Sequence, residues 1–282
     1  MTKIAILGAG TMGHGIAQVA ASCGYDVALS DVDEGALESG MERLAANLAK
    51  AVEKGKMSEV DCDAALARVA ATTKLGEAVG EADLVVEAAP ERMDLKEQIF
   101  AAVDVAAPAG AVLATNTSSL SISRIAEATS RPDAVIGMHF FNPPYALKLL
   151  ELVRGDRTSD TTVEAARAHG DRMGRQIITV TDSPGFATSR LGLVLGLEAI
   201  RMVEQGVASP EDIDTAMAQG YGHPMGPLRL TDLVGLDVRL AIAISLFEAL
   251  GTDAFRPPDL LRQMVEDGRL GRKSGRGFYD WD

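Results

Sequence analysis

Short aliphatic runs alternate with amphipathic stretches through the first half of the chain. KIAIL gives way to an amphipathic segment over residues 12–23, then to DVALS, then to a long charged segment over residues 34–54. ADLVVEAA, a helical pattern over residues 94–105, AVLATN and AVIGMHFF continue the series. This alternation predicts βαβ units and a mostly parallel sheet covered by helices. Residues 83–88 and 111–115 read as strands buried on both faces. At TDSPGF, residues 181–186, turn residues cluster and the pattern changes. Beyond it only helical periodicity remains, over residues 189–205, 210–218, 226–233, 236–250 and 259–267. The domain boundary is therefore expected near Ser183, with domains over residues 1–183 and 184–282 and no long linker between them.

The first strand runs directly into ILGAGTMGHG, where Gly8, Gly10 and Gly13 have the G-x-G-x-x-G spacing at the mouth of a helix. The first glycine permits a tight turn, the second lets the backbone approach a pyrophosphate, and the third lets the helix pack on the strand. Asp31 closes the next strand, at the distance where a carboxylate accepts from a ribose hydroxyl. The expected fold is therefore α/β, an N-terminal Rossmann dinucleotide-binding domain followed by an all-helical C-terminal domain. Asp31 would repel a 2′-phosphate, and no arginine occurs nearby until Arg43, so NAD is favoured over NADP.

Composition removes several function classes. The formal charge of −13 argues against nucleic acid or an anionic membrane surface as partner, although a local basic patch remains possible. Cys23 and Cys62 lack metal or disulfide spacing and read as inert thiols, which suits a reducing cytoplasm. No apolar run has signal-peptide or bilayer-spanning character. The four histidines show no metal spacing, and His169, on a polar helix, reads as a solvated surface residue. GRLGRKSG near the C-terminus is not a P-loop, and no G-x-S-x-G elbow occurs.

One stretch asks for chemistry. In GMHFFNPP, His139 interrupts a buried strand that Asn142, Pro143 and Pro144 end abruptly. The next apolar stretch, residues 147–153, carries Glu151. A turn at the prolines permits the carboxylate to meet the imidazole, which would hold one ring nitrogen and leave the other to take a proton. A core histidine bonded to a carbonyl is the structural alternative. Upstream, TNTSS follows another buried strand, at the kind of strand end where ligands bind; helix capping by Ser119 or Ser121 is the competing explanation there.

GAGTMG, VVEAAPE, TNTSSL, GMHFFNPP, SPGF, EDIDTAM, HPMGPL, DLVGLD and GRKSGRGFYD together resemble the short-chain L-3-hydroxyacyl-CoA dehydrogenases, including bacterial 3-hydroxybutyryl-CoA dehydrogenases, nearly end to end. The resemblance implies NAD-dependent oxidation of a (S)-3-hydroxyacyl-CoA thioester to the 3-oxoacyl-CoA, with His139 as base, Glu151 as its partner, and Ser118 and Asn142 around the reacting alcohol and nicotinamide. It implies cofactor contacts from Gly8, Gly10, Thr11, Met12, Gly13, Asp31, Glu91, Lys96, Ser118, Asn142 and, more weakly, Lys273. Lys50 and Lys54 are implied for CoA phosphates, though without the family they read as a solvated helix face. A homodimer formed mainly by the helical domain is also implied, with Leu193, Leu197 and Ile200 on one helical face; an intramolecular core explains that face equally well. One departure stands out: Ser189 occupies the place of an asparagine usually near substrate and nicotinamide. The rival readings are a dehydrogenase of a free hydroxy acid or sugar acid, a non-catalytic NAD-binding relative, and the lysine-dependent 6-phosphogluconate type, for which no lysine here sits in an equally marked motif.

Overall fold

The computed structural model describes residues 2–281. The chain forms two compact units that divide between Ser183 and Pro184. The first begins β1 (Lys3–Leu7), α1 (Gly13–Ser22), β2 (Asp26–Ser30), α2 (Glu34–Glu53), α3 (Glu59–Ala67), β3 (Val69–Thr72), α4 (Leu75–Val79) and β4 (Leu84–Glu87). It continues through α5 (Met93–Ala106), β5 (Val112–Thr115), α6 (Ile122–Glu127), β6 (Val135–Phe140), β7 (Leu149–Arg154), α7 (Asp160–Arg172) and β8 (Gln176–Thr181). The eight strands make one sheet in the order β3-β2-β1-β4-β5-β6-β7-β8. All neighbours are parallel except β6 and β7.

Local chemistry starts the helices where the sequence bends. Asp33 accepts Ala36 N at 2.7 Å to cap α2, and Ser58, Ser121 and Ser159 cap α3, α6 and α7 in the same way. Of the serine cluster after β5, Ser121 is therefore the cap. β4 and β5 are buried at every position, as strands covered on both faces must be.

His169 departs from expectation. It is half-buried, its Nδ1 lies 3.1 Å from Tyr25 Oη, and the Arg172 guanidinium sits 3.9 Å over the Tyr25 ring. Burial pushes the imidazole below its ordinary range, with Asp83 opposing and Arg172 adding to that effect. The residue pins α7 to the start of β2 and is not a solvated surface group.

The second unit contains α8 (Thr188–Glu204), α9 (Pro210–Thr215) continued by a π-helical turn (Ala216–Gly220), α10 (Pro227–Val234), α11 (Leu236–Leu250) and α12 (Asp259–Glu266). Leu193, Leu197 and Ile200 are each 1 % exposed and form its core with Leu228, Leu236 and Leu261. The apolar face of α8 is thus satisfied within the chain, and these residues cannot supply a dimer contact. Among the described residues no helix is long and apolar enough to cross a membrane.

Two buried carboxylates organise this unit. Asp214 accepts Leu228 N and Arg229 N, each at 2.8 Å, at the start of α10, and Tyr279 Oη donates to it at 2.8 Å. Asp232 accepts Phe278 N, Tyr279 N and Trp281 Nε1 at 2.9, 3.0 and 2.8 Å. The C-terminal GRGFYD stretch is held on the helices by these bonds.

Candidate active site

The glycine loop has the shape its spacing predicts. Gly8 has φ +104°, and a Cβ there would stand 2.7 Å from the Ala88 carbonyl oxygen; one on Gly13 would stand 1.7 Å from the Gly8 carbonyl oxygen. A Cβ on Gly10 would meet nothing within 4 Å, so the loop's outer face is open where the backbone must approach a ligand. Asp31 braces this loop: its Oδ2 accepts Ala9 N at 2.8 Å and its Oδ1 accepts Asp33 N at 3.1 Å. Asp31, Val32, Gly8 and Gly10 line a cavity of about 210 Å³ that reaches Ala88 and Ala89. These residues fit a dinucleotide. Arg43, read from the sequence as not near Asp31, donates from Nη2 to the Ala9 carbonyl at 3.2 Å and so lies against the same loop. It lines a different cavity, of about 300 Å³, with Thr11, His14 and Asn142.

Replacing Asp31 with Ser and Val32 with Arg removes the carboxylate and puts a cation at a position 96 % exposed on the cavity rim. The variant is expected to shift the ratio of kcat/KM values roughly ten- to hundred-fold toward NADPH, the worth of one charge-assisted contact. Comparable use of NADPH and NADH by the unaltered protein would refute the assignment to Asp31.

The antiparallel pairing of β6 and β7 sets His139 directly opposite Glu151. A register slip of one residue would bring Leu150 or Leu152 there instead, so strand register selects the pair. His139 Nδ1 donates to Glu151 Oε2 at 2.7 Å, with Glu151 fully buried and His139 7 % exposed. That bond makes Nδ1 the protonated ring nitrogen and Nε2 the acceptor. The Phe141 ring packs 4.4 Å from the imidazole, and the Asn116 carboxamide accepts Phe140 N at 2.8 Å, tying the ends of β5 and β6 together.

His139, Ser118, Asn142, Glu91, Lys96 and Met12 line one cavity of about 350 Å³. The resemblance implied a role for each of these six, and the fold brings them to one place. Ser118 N donates to Glu91 Oε1 at 3.1 Å, and Thr117 Oγ1 does so at 2.6 Å. Lys96 differs from a freely offered cofactor contact: it is 1 % exposed, and its Nζ donates to Glu87 Oε1 at 2.6 Å.

Lys50 and Lys54 stand at the C-terminal end of α2 on a cavity of about 500 Å³, where Lys56, Arg175, Asn47 and Tyr145 join them. Four cations on one rim give this acidic chain a local basic patch. Arg175 Nη1 donates to the carbonyls of Pro144 and Leu147 at 2.8 and 3.1 Å, bracing the turn that follows Asn142. Cys23 also lies here, and burial pushes its thiol up despite Arg175 and Arg172, in keeping with an inert group. Asn47 and Tyr145 also line the cavity of Thr11 and Asn142, and Asn142 lines that of His139. The three cavities are thus neighbours that share lining residues.

Residues 3–183 match the model of the 3-hydroxyacyl-CoA dehydrogenase NAD binding domain, and residues 185–281 match that of the family's C-terminal domain. The chain belongs to the 3-hydroxyacyl-CoA dehydrogenase family. It is 46% identical over 280 residues to a probable 3-hydroxybutyryl-CoA dehydrogenase of Bacillus subtilis, covering 99% of this chain and 97% of that protein. The solved structure of (S)-3-hydroxybutyryl-CoA dehydrogenase from Ralstonia eutropha superposes with a TM-score of 0.96 at 42% identity, over 100% of this chain and 99% of that one. A 3-hydroxyadipyl-CoA dehydrogenase of Escherichia coli is 42% identical over 99% of this chain and 58% of its own length.

All the cavities described above lie within the segment matched by the dehydrogenase family's NAD binding domain. Ser189 and Lys273 lie in the helical unit. Ser189 occupies the first turn of α8, and Lys273 Nζ forms an ion pair with Asp237 at 2.5 Å. Sequence reading gave no role to Glu87, Asn116, Thr117 or Arg175, although Asn116 and Thr117 lie in the TNTSS stretch marked as a ligand-binding strand end. Glu87 carried a signal of its own, a carboxylate closing an otherwise apolar strand, the same anomaly that marks His139.

Proposed function

We propose that the protein interconverts (S)-3-hydroxyacyl-CoA and 3-oxoacyl-CoA with NAD, 3-hydroxybutyryl-CoA being its substrate. The observation that carries this reading is the buried 2.7 Å bond from His139 Nδ1 to Glu151, inside a cavity that Ser118 and Asn142 also line. With Nδ1 committed, Nε2 takes the hydroxyl proton of the substrate, and Glu151 stabilises the imidazolium that forms. Ser118 and Asn142 bind and orient the oxygen from which that proton leaves. Bound NAD⁺ supplies the hydride acceptor. In the reverse direction the same imidazolium returns the proton.

The neighbouring basic cavity supports a CoA thioester over a free hydroxy acid, which would leave the basic rim without a role. Following NADH oxidation with acetoacetyl-CoA, free acetoacetate and longer 3-oxoacyl-CoAs tests this; equal rates with free acetoacetate would overturn the thioester reading. The double variant Lys50→Glu, Lys54→Glu is expected to raise KM for acetoacetyl-CoA roughly ten- to hundred-fold with kcat little changed, because a contact far from the reacting carbon binds substrate and transition state alike. An unaltered KM would remove both lysines from the binding site.

The dimer is assigned to a different surface from that of the α8 core. Leu230, Leu233, Val234 and Val238, on α10 and the start of α11, remain 36–40 % exposed in the single chain. Light scattering at micromolar concentration is expected to give twice the 29.6 kDa chain mass; a monomeric mass would contradict the assignment.

A further inference from the structure

Two carboxylates compete for one buried ammonium beside the proposed reaction centre. Glu87 ends β4 with 1 % exposure, and Lys96, in the first turns of α5, is buried to the same degree. Lys96 Nζ lies 2.6 Å from Glu87 Oε1 but 3.6 Å from Glu91 Oε2. Glu87 therefore holds the ammonium, with the Ala89 carbonyl accepting from it at 3.3 Å. Glu91 is left to accept Thr117 Oγ1, Ser118 N and Ser119 Oγ at 2.6, 3.1 and 3.2 Å. Glu87 also reaches that turn from its other side: Thr115 Oγ1 donates to Glu87 Oε2 at 2.7 Å and accepts Thr117 N at 3.2 Å.

We propose that Glu87 is a positioning residue of this enzyme: by neutralising Lys96 it keeps Glu91 on the Thr117–Ser118 turn and so fixes the place of the Ser118 hydroxyl. The inference rests on the dehydrogenase reading above. Its physical content is a choice between partners. In a site this dry the ammonium pairs with whichever carboxylate is charged and near, because an unpaired buried charge is strongly disfavoured. Removing the charge of Glu87 turns Lys96 toward Glu91 Oε2, already 3.6 Å away, and closing that gap tilts the carboxylate whose Oε1 holds Thr117 and Ser118. Ser118 itself is unaltered, yet its hydroxyl is no longer held where the substrate oxygen lies. Misplacement on the scale of 1 Å can lower a rate by about a hundredfold.

The test is a set of variants assayed with acetoacetyl-CoA at saturating NADH. Glu87→Gln is expected to lower kcat about ten- to hundred-fold. In a Ser118→Ala background no hydroxyl is left to place, so adding Glu87→Gln should lower kcat by no more than about threefold further. A purely structural role predicts that the two losses multiply, since damage to the buried network does not depend on the Ser118 hydroxyl. Wild-type kcat in Glu87→Gln, or a double variant in which the two losses multiply, would overturn the proposal. If Glu87→Gln fails to fold, Glu87→Asp decides: it keeps the charge but shortens the reach to Lys96, an intermediate kcat is expected, and an unchanged kcat would overturn the proposal. Failure of the unaltered protein to oxidise NADH with acetoacetyl-CoA would bring down the dehydrogenase reading itself, and with it the role of Glu87. Activity in the unaltered protein that the variants simply match brings down only the latter.

Discussion

Replacing His139 with Gln is expected to leave NADH binding almost unchanged and to lower turnover by about two to four orders of magnitude, the range for a positioned general base. The size follows from the geometry. Glu151 is fully buried and its Oε2 accepts a hydrogen bond from Nδ1 at 2.7 Å, so in the proposed mechanism proton transfer falls to one atom, Nε2, held by strand pairing. Gln has no atom that gains and loses a proton near neutral pH. It can still donate an N–H toward Glu151, which keeps the buried carboxylate hydrogen-bonded and the strand pair intact. An Ala at this position would leave that charge without its partner, at about 3–5 kcal/mol, and would confuse a folding defect with a chemical one. Fluorescence titration with NADH and a thermal melt should therefore match the unaltered protein while the chemical step slows. Turnover within tenfold of the original, in an assay limited by chemistry, would remove His139 from the mechanism.

Strands were readable where burial on both faces writes a continuous apolar run, as in β1, β4 and β5. β3 was missed because VAAT is a half-exposed strand at the sheet edge with little apolar surface to mark it. Side-chain partners far apart in sequence were harder to see. His169 belongs to a polar helix, and nothing local announces that Tyr25, 144 residues earlier, covers it. Arg43 lies 34 residues from the carbonyl it reaches. The apolar face of α8 was evident from spacing, but periodicity says only that a face is covered, and here α10 and α11 of the same chain provide the cover. His139 and Glu151 were readable because each is a titratable group inside an apolar strand, and a single turn joins the two strands. Glu87 had the same mark, yet its partner Lys96 comes from a helix, where spacing suggests no cross-strand neighbour.

The same reasoning gives the largest expected effect on stability. Asp232 is 1 % exposed and accepts Phe278 N, Tyr279 N and Trp281 Nε1, so one carboxylate fixes the final strand-like turn of the chain. Gly277 makes this approach possible: a Cβ there would stand 2.2 Å from Asp232 Oδ1. Asp232→Asn keeps the volume but turns one acceptor into a donor that faces donors, leaving buried N–H groups unsatisfied. Breaking a buried charged network from one side is worth roughly 3–5 kcal/mol, a large share of the typical 5–15 kcal/mol of total stability. The thermal midpoint should fall by roughly 6–15 °C. Gly277→Ala attacks the contact from the other partner and should act in the same direction. Because both substitutions break one clasp, the double variant should lose clearly less than the sum of the single losses. Differential scanning calorimetry on the three variants measures this directly. Fully additive losses would mean that Asp232 and Gly277 act through separate contacts, and an unshifted midpoint in Asp232→Asn would mean that the tail's N–H groups are satisfied without the carboxylate.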